Sequence, residues 1–151
     1  MIMDSRQKDN LKSEYIKLEN VFCPYLMSEV VFNNKGFMHL LYKSGNRKRN
    51  LSDIKNRISF LGESRNILSI TTTVQELEEK ITEDKKINYF GFIAILNKVK
   101  LKIVVRKDNE NGNYHFYSVI PHFITSPKRD GKKTNVIEKL ELEIENEKTA
   151  P

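Results

Sequence analysis

The chain has 151 residues, of which 38% are hydrophobic and 30% charged, and this length allows one compact domain but not two ordinary domains with a linker. Eight Phe and six Tyr provide enough large apolar side chains to exclude a wholly disordered chain. The formal net charge of +6 favours an anionic partner, either nucleic acid or a membrane surface.

A single cysteine, Cys23, excludes an intrachain disulfide and a zinc site built from several cysteines. We expect it to be a small buried hydrophobic residue. Residues 1–20 contain no apolar run of signal-peptide length, and no segment reaches the roughly 18 apolar residues of a membrane span. These features predict a protein of the reducing cytoplasm that has no membrane partner.

The first third of the chain predicts one helix, one strand and a segment with two interpretations. Apolar residues recur at helical spacing within residues 8–18, which predicts an amphipathic helix. Residues 29–32 have the composition of a strand, and the turn-forming residues 33–36 separate them from the apolar run 37–42. That run either completes a hairpin or forms a helix after the strand.

Two more helices are predicted in the middle of the chain. The first begins with Ser52 as its N-cap and ends near Gly62. The second runs from a threonine at 72 or 73 to about residue 82, because glutamates are favoured in the first turn of a helix.

Strands are expected after the helices. Residues 89–96 are almost continuously apolar, which predicts a central strand buried on both faces. Asn97 and Lys98 predict a tight turn before residues 99–106, where apolar and polar side chains alternate. The second strand therefore has one buried face and one basic face.

A polar loop at residues 107–113 leads into a third strand, 114–120, which Pro121 is expected to end. Residues 125–151 contain a basic segment and an acidic tail, predicted to be partly flexible or packed on the domain. The sequence thus predicts a single α+β domain over residues 1–124, with N-terminal helices packed on one face of a small antiparallel sheet of three to four strands.

Several common chemistries lack their motifs. There is no glycine-rich phosphate loop, no His-Glu-x-x-His pair and no Gly-x-Ser-x-Gly elbow. The three histidines and the scattered acids do not have the spacing of a metal site, so we expect neither a metal nor a cofactor.

His39 precedes a basic cluster of Lys43, Arg47, Lys48 and Arg49. Cleavage of RNA without a metal requires a group that takes the 2′-hydroxyl proton, a group that protonates the leaving oxygen, and cations that stabilise the developing charge. Histidine suits the proton transfers, and arginine and lysine suit the charge. The cluster is compatible with this chemistry.

The pattern Phe37-Met38-His39-Leu40-Leu41, a following basic helix with Arg57 and Phe60, and the late strands LKIVVRK and NYHFYSVIP together resemble the phage-associated nucleases of the barnase, EndoU, colicin and RelE-like (BECR) superfamily. The resemblance covers roughly residues 29–123. It implies helices packed on a four-stranded antiparallel sheet, RNA cleavage by a phage or mobile-element toxin, and an antitoxin or immunity protein as partner.

The resemblance also implies roles for individual residues. His39 would be the catalytic acid or base, Ser118 would contact or orient the phosphate, and Arg57 and Arg106 would supply positive charge. On a regular strand His115 and Ser118 point to opposite faces, and only a bulge would change this.

Further residues are candidates for nucleic-acid binding, and they comprise Lys43, Arg47, Lys48, Arg49, Lys102, His115 and Tyr117. Several candidates have a structural alternative. His39 is equally a half-buried histidine bonded to backbone, and Arg47 to Arg49 form a solvated turn. Lys102 could only solubilise an exposed sheet face, and Tyr117 could belong to the core. Three functions remain open. They are a metal-independent endoribonuclease, a noncatalytic nucleic-acid-binding module, and a protein-interaction or inhibitor domain whose acidic tail, residues 138–147, engages a basic partner or folds over the basic face.

Overall fold

The computed structural model describes residues 4–43, 46–109 and 112–124, and the basic segment and acidic tail of residues 125–151 lie outside them. The helices are α1 (Ser5–Ile16), α2 (Asn34–Leu41), α3 (Leu51–Ser59) and α4 (Leu61–Ile70). The strands are β1 (Val21–Cys23), β2 (Ser28–Val31), β3 (Tyr42–Lys43), β4 (Arg47–Lys48), β5 (Glu76–Thr82), β6 (Lys85–Leu96), β7 (Val99–Asp108) and β8 (Tyr114–Phe123). Among the described helices, none has the length and apolar character needed to cross a membrane.

The main sheet has six strands in the order β1-β2-β8-β7-β6-β5, and β3 pairs separately with β4. All neighbours in the main sheet are antiparallel except β2 and β8, which run parallel. The α+β class predicted from the sequence is confirmed. The sheet is larger than the predicted three to four strands, because β1, β2 and β5 extend the β6–β8 meander.

The core lies between one face of the sheet and the helices. Alternate residues of β7 are fully buried on this face, as the sequence predicted, and they are Leu101, Ile103 and Val105. They belong to one hydrophobic cluster with Phe116 and Val119 of β8 and with helical residues that include Phe37, Leu40 and Leu68. Each large apolar side chain buried here stabilises the fold by about 2 kcal/mol. Cys23 is also fully buried, as predicted.

The segment with two interpretations is a helix, α2. The Asn33 side chain caps it by accepting the backbone N–H of Gly36 at 3.3 Å, so residues that suggested a turn form the first helical turn. Gly36 lets α2 approach β8, since a Cβ at this position would overlap the carbonyl oxygen of Phe116 and lie 2.6 Å from the Tyr15 hydroxyl.

The predicted boundaries of the next helix were wrong at both ends. α3 is capped by Asn50 rather than Ser52, and the Asn50 side chain accepts the N–H of Asp53 at 2.8 Å. The chain then enters α4 directly after Phe60, so Gly62 lies in the first turn of α4 instead of ending α3.

The predicted helix at residues 72–82 was also wrong, because residues 76–82 form strand β5. Leu77 and Ile81 are four positions apart, and this spacing puts two side chains on one face of either a helix or a strand. Pairing with β6 decides between a helix and a strand, because every residue of β5 lies opposite a residue of β6 and their backbone groups can bond to each other. Tertiary pairing has overridden the helix-start signal.

β6 begins at Lys85, four residues before the predicted start, and is the second strand from the sheet edge rather than a central strand. Gly91, Phe92 and Ile93 are consecutive buried residues, so β6 is buried on both faces at this point, as predicted. The predicted turn is confirmed, because Asn97 and Lys98 adopt φ values of 38° and 69° between β6 and β7.

β8 continues through Pro121 to Phe123, so the prediction that Pro121 ends it was wrong. The turn at residues 97–98 makes Leu96 and Val99 a hydrogen-bonded pair, so the backbone groups of Val99 point to β6. These groups point to opposite edges in successive residues, so those of Lys100 and Lys102 form hydrogen bonds with β8. Pro121 lies opposite the intervening Leu101, so its missing N–H would point away from β7 and no ladder bond is lost.

Candidate active site

The edge of β8 that faces away from β7 pairs with β2 only at its start, and the rest of this edge lies against helices. β2 reaches only Tyr114 and His115 of β8. Further along, the carbonyl of Val119 points away from β7 and accepts a hydrogen bond from Nη1 of Arg57 at 2.8 Å. Helices α2 and α3 therefore replace a strand at this edge and bring their polar side chains to the middle of β8.

A β-bulge in β8 shapes this region. Val104 lies opposite Ser118 and Val105 opposite Phe116, so Tyr117 is an extra residue in β8. His115 lies opposite Arg106, and Arg106 is two positions from Val104 on β7. The bulge therefore assigns His115 and Ser118 to the same face of the sheet, which a regular strand could not do.

His39 lies on α2 and its imidazole packs against Tyr117, with ring centres 4.2 Å apart. Its backbone carbonyl accepts a hydrogen bond from Nε of Arg49 at 3.1 Å. Its Nδ1 is buried and has no hydrogen-bond partner among the described residues. The imidazole is thus held by packing against the Tyr117 ring and not by a hydrogen bond to Nδ1 from the described residues.

Asp53 of α3 joins two of the arginines that lie near His39. Its carboxylate accepts from Nε of Arg57 at 3.0 Å and from Nη1 of Arg49 at 3.5 Å. Nη1 of Arg57 also lies 3.5 Å from the Ser118 hydroxyl. The side chains of Arg49 and Arg57 are only 8% and 12% exposed, so both guanidinium groups are fixed in position. Ser118 itself is buried, and its hydroxyl meets the site through this contact with Arg57.

Arg106 and two tyrosines form the opposite side of the site. The guanidinium carbon of Arg106 lies 5.5 Å from the ring centre of Tyr117 and 5.8 Å from that of Tyr89. The two tyrosine rings meet edge to face at 5.5 Å. Asp108 holds Arg106 through a 2.6 Å bond to Nε and also pairs with Lys35 at 3.1 Å.

These surroundings lower the pKa of His39 to about 4. Burial is the largest cause, since it disfavours the charged imidazolium, and the positive charges of Arg49, Arg57 and Arg106 add to it. The imidazole is therefore neutral near pH 7 and can accept a proton. Three arginines share only two aspartates here, so the site carries a positive charge that an anion would offset.

The structure brings His39, Arg49, Arg57, Arg106 and the Tyr117–Ser118 segment together. Lys43, Arg47 and Lys48 instead lie on the exposed ribbon formed by β3 and β4, where Lys43 is opposite Arg47. The basic cluster is thus divided, because Arg49 turns inward while the preceding residues face solvent.

Lys102 and His115 occupy the margins of the site. Lys102 pairs with Glu76 at a depression of about 200 Å³ that Tyr89 and Tyr117 also line. His115 is buried beside Arg106 and Asp108, and its Nε2 has no hydrogen-bond partner in the described part of the chain. Burial is the main cause of the lowered pKa of His115.

Sequence reasoning missed Asp53, Asp108, Lys35 and Tyr89. Asp53 had a detectable signal, since it lies four residues after Arg49 and four before Arg57, which is the spacing of helical ion pairs. Tyr89 had none, because its proximity to Arg106 depends on the register between β6 and β7.

Within the described ranges, no group of three or more His, Cys, Asp or Glu side chains is arranged to hold a metal ion. No family model, curated protein or solved structure matches this chain.

Proposed function

We propose that the protein is a small metal-independent endoribonuclease of the phage or mobile-element toxin type, related to the barnase, EndoU, colicin and RelE-like superfamily. The observation that carries this proposal is the neutral imidazole of His39, packed on Tyr117 and close enough to Arg49, Arg57 and Arg106 for their charges to lower its pKa. This arrangement supports the proposal, because an imidazole suited to general-base catalysis lies near cations suited to stabilising a phosphorane-like transition state.

In the proposed reaction, His39 takes the proton of an RNA 2′-hydroxyl. The 2′-oxygen then forms a bond to the adjacent phosphorus, the bond to the 5′-oxygen breaks, and a 2′,3′-cyclic phosphate remains. The leaving oxygen takes a proton from water, and His39 returns its proton to solvent. The charge that develops on the phosphoryl oxygens is stabilised by Arg106 and by Arg57, which Asp53 and Ser118 position.

A pKa of about 4 makes free His39 a weak base at neutral pH. A bound phosphodiester changes this, because its negative charge lies among the same arginines whose positive charges lower the pKa. Substrate binding therefore raises the pKa of His39 and strengthens it as a base. The bases of the RNA would stack on the tyrosine pair, and such stacking contributes about 1–3 kcal/mol per base.

The test uses defined tRNA and mRNA fragments incubated with the full chain in EDTA, followed by analysis of the new ends. We expect cleavage that leaves 2′,3′-cyclic phosphates and that disappears in His39→Ala and His39→Gln. His122→Ala is the matched control, because His122 is exposed near the end of β8 and should leave the rate unchanged. Intact RNA in the presence of folded wild-type protein would refute the proposal.

A noncatalytic nucleic-acid-binding module is the second candidate, and the exposed basic ribbon formed by β3 and β4 favours it. This function predicts affinity that falls steeply with salt. Replacing Lys43 or Lys48 with Ala should reduce the slope of log K against log salt by about 1 each, without any cleavage. For either function, the resemblance implies an antitoxin or immunity protein as the protein partner.

A further inference from the structure

β5 is a strand with one free side. It pairs with β6 along its full length, and all seven of its residues are exposed. In the order of the main sheet it is the last strand, so no described strand pairs with its other side. The side chains of Leu77 and Ile81 are 65% and 77% exposed, although both point to the face of the sheet that carries the helices. A free edge with exposed apolar residues is a template for another strand.

The hairpin register shows which backbone groups are free. Thr82 and Lys85 close a two-residue turn, so they are a hydrogen-bonded pair. Because such pairs alternate along an antiparallel ladder, Lys80, Glu78 and Glu76 also direct their backbone groups to β6. Leu77, Glu79 and Ile81 direct theirs outward, which provides three donors and three acceptors along the edge.

The sequence of β5 is complementary to itself when a second copy lies antiparallel with Glu79 at the centre. Leu77 then faces Ile81 of the second copy, and Glu78 faces Lys80 of the second copy; both contacts occur twice. The outward-facing residues also match, since Glu79 pairs with Glu79 and Leu77 pairs with Ile81 through their free backbone groups. Both kinds of cross-strand pair are stabilising.

Other registers lose this complementarity. Centring the pair on Glu78 would oppose two Glu78 side chains and place Leu77 against Glu79. Centring it on Lys80 would oppose two lysines and place Ile81 against Glu79. In the register centred on Glu79, the one like-charged contact is Glu79 with its own copy, and each Glu79 has Lys86 of its own chain at 3.6 Å. Only this register pairs apolar with apolar and acid with base.

We propose that the protein forms a symmetric dimer in which β5 pairs with β5 of a second copy, so that six strands from each copy form one continuous sheet. The two-fold axis passes between the two Glu79 residues, perpendicular to the sheet. Both copies then present the same face on the same side. The two depressions at Tyr89 and Tyr117 therefore open in the same direction on either side of the axis. This dimer does not depend on nuclease activity.

Charge exchange between Glu78 and Lys80 is the most specific test. Glu78→Lys opposes two pairs of lysines across the edge, and Lys80→Glu opposes two pairs of glutamates. Each single variant should weaken the dimer by about tenfold or more, measured by sedimentation velocity from micromolar to millimolar protein. The double variant E78K/K80E restores opposite charges at both contacts and should return the affinity close to that of wild type. Circular dichroism and thermal unfolding confirm the fold of every variant.

Crosslinking then tests the register. Glu79→Cys places two thiols on the axis, where the two Cα atoms of a hydrogen-bonded pair lie about 5.5 Å apart, so a short bismaleimide should link the copies. Glu83→Cys is the matched control, since residue 83 is exposed in the turn and far from its symmetry mate in this dimer. Cys23 is fully buried and should not react. A monomer at every concentration, a dimer insensitive to the charge variants, or linkage through residue 83 rather than 79 would each overturn the proposal.

Discussion

Acidification is expected to destabilise the protein through His39, and replacing His39 with Gln should remove this part of the effect. The pKa of His39 is about 4 in the folded protein and 6.5 for an ordinary histidine. Between these values the unfolded chain binds a proton that the folded protein does not. The contribution of His39 to the free energy of unfolding is therefore fully present above pH 6.5 and is lost as the pH is lowered toward 4.

The magnitude follows from the shift. A change of one pKa unit corresponds to about 1.4 kcal/mol. Because the pKa of His39 falls from 6.5 to about 4 on folding, its contribution to the free energy of unfolding is at most about 3 kcal/mol. Partial exposure of the ring to solvent makes the measured value smaller. His115 acts in the same direction, because its pKa is also lowered, and it is present in both proteins that are compared.

Urea unfolding of wild type and His39→Gln at several pH values between neutral and about 4 measures the effect. The free energy of unfolding of wild type should fall more steeply than that of the variant, by about 2–3 kcal/mol over this range. An NMR titration of the His39 ring reports its pKa directly. Parallel curves for wild type and His39→Gln, or titration of His39 near 6.5, would refute the geometry described for this site.

Three other variants test separate parts of the structure. Arg106→Gln removes one of the positive charges beside His39, so the pKa of His39 should rise in an NMR titration; an unchanged value would mean that the arginine does not act on the imidazole. Gly36→Ala should lower the free energy of unfolding by about 1–3 kcal/mol, because the new methyl group overlaps the carbonyl of Phe116; stability equal to wild type would show that α2 can move away from β8. Lys98→Gly should raise the free energy of unfolding by about 0.5–1 kcal/mol, since φ is 69° at residue 98 and glycine adopts this conformation without strain. A loss of stability at residue 98 would contradict the turn geometry.

If the protein cleaves RNA as proposed, the pH dependence of the reaction should distinguish free enzyme from complex. On the acid side, kcat/KM falls at the pKa of His39 in the free enzyme, so this fall should be centred near pH 4. The fall in kcat reports the pKa of His39 in the complex and should be centred at a higher pH. A limb of kcat/KM near the ordinary pKa of histidine would show that His39 is not the base.

Much of the sheet could be predicted from local patterns. The alternation of Leu101, Ile103 and Val105 predicted which face of β7 is buried, and Asn97 and Lys98 predicted the turn before it. Both features involve neighbouring residues only. The helix predicted at residues 72–82 failed because Leu77 and Ile81 fit either period, and only the presence of β6 selected a strand.

The composition of the candidate site could be predicted in part, and its arrangement could not. His39, Arg57, Arg106 and Ser118 were identified from a resemblance in sequence, and the structure places them in one region. The counter-ions Asp53 and Asp108 and the ring of Tyr89 were missed. Of these, only Asp53 lies at helical spacing from its partners.

The sequence by itself determined the α+β class, the buried face of β7 and the supply of histidine and arginine side chains, since these depend on composition and on contacts between near neighbours. Tertiary structure decided that residues 76–82 form an edge strand, that a bulge at Tyr117 places His115 and Ser118 on one face, and that three arginines surround His39. The physical reason is that strand register, burial and the pKa of an imidazole depend on groups far apart in the chain, which only folding brings within a few ångströms of one another.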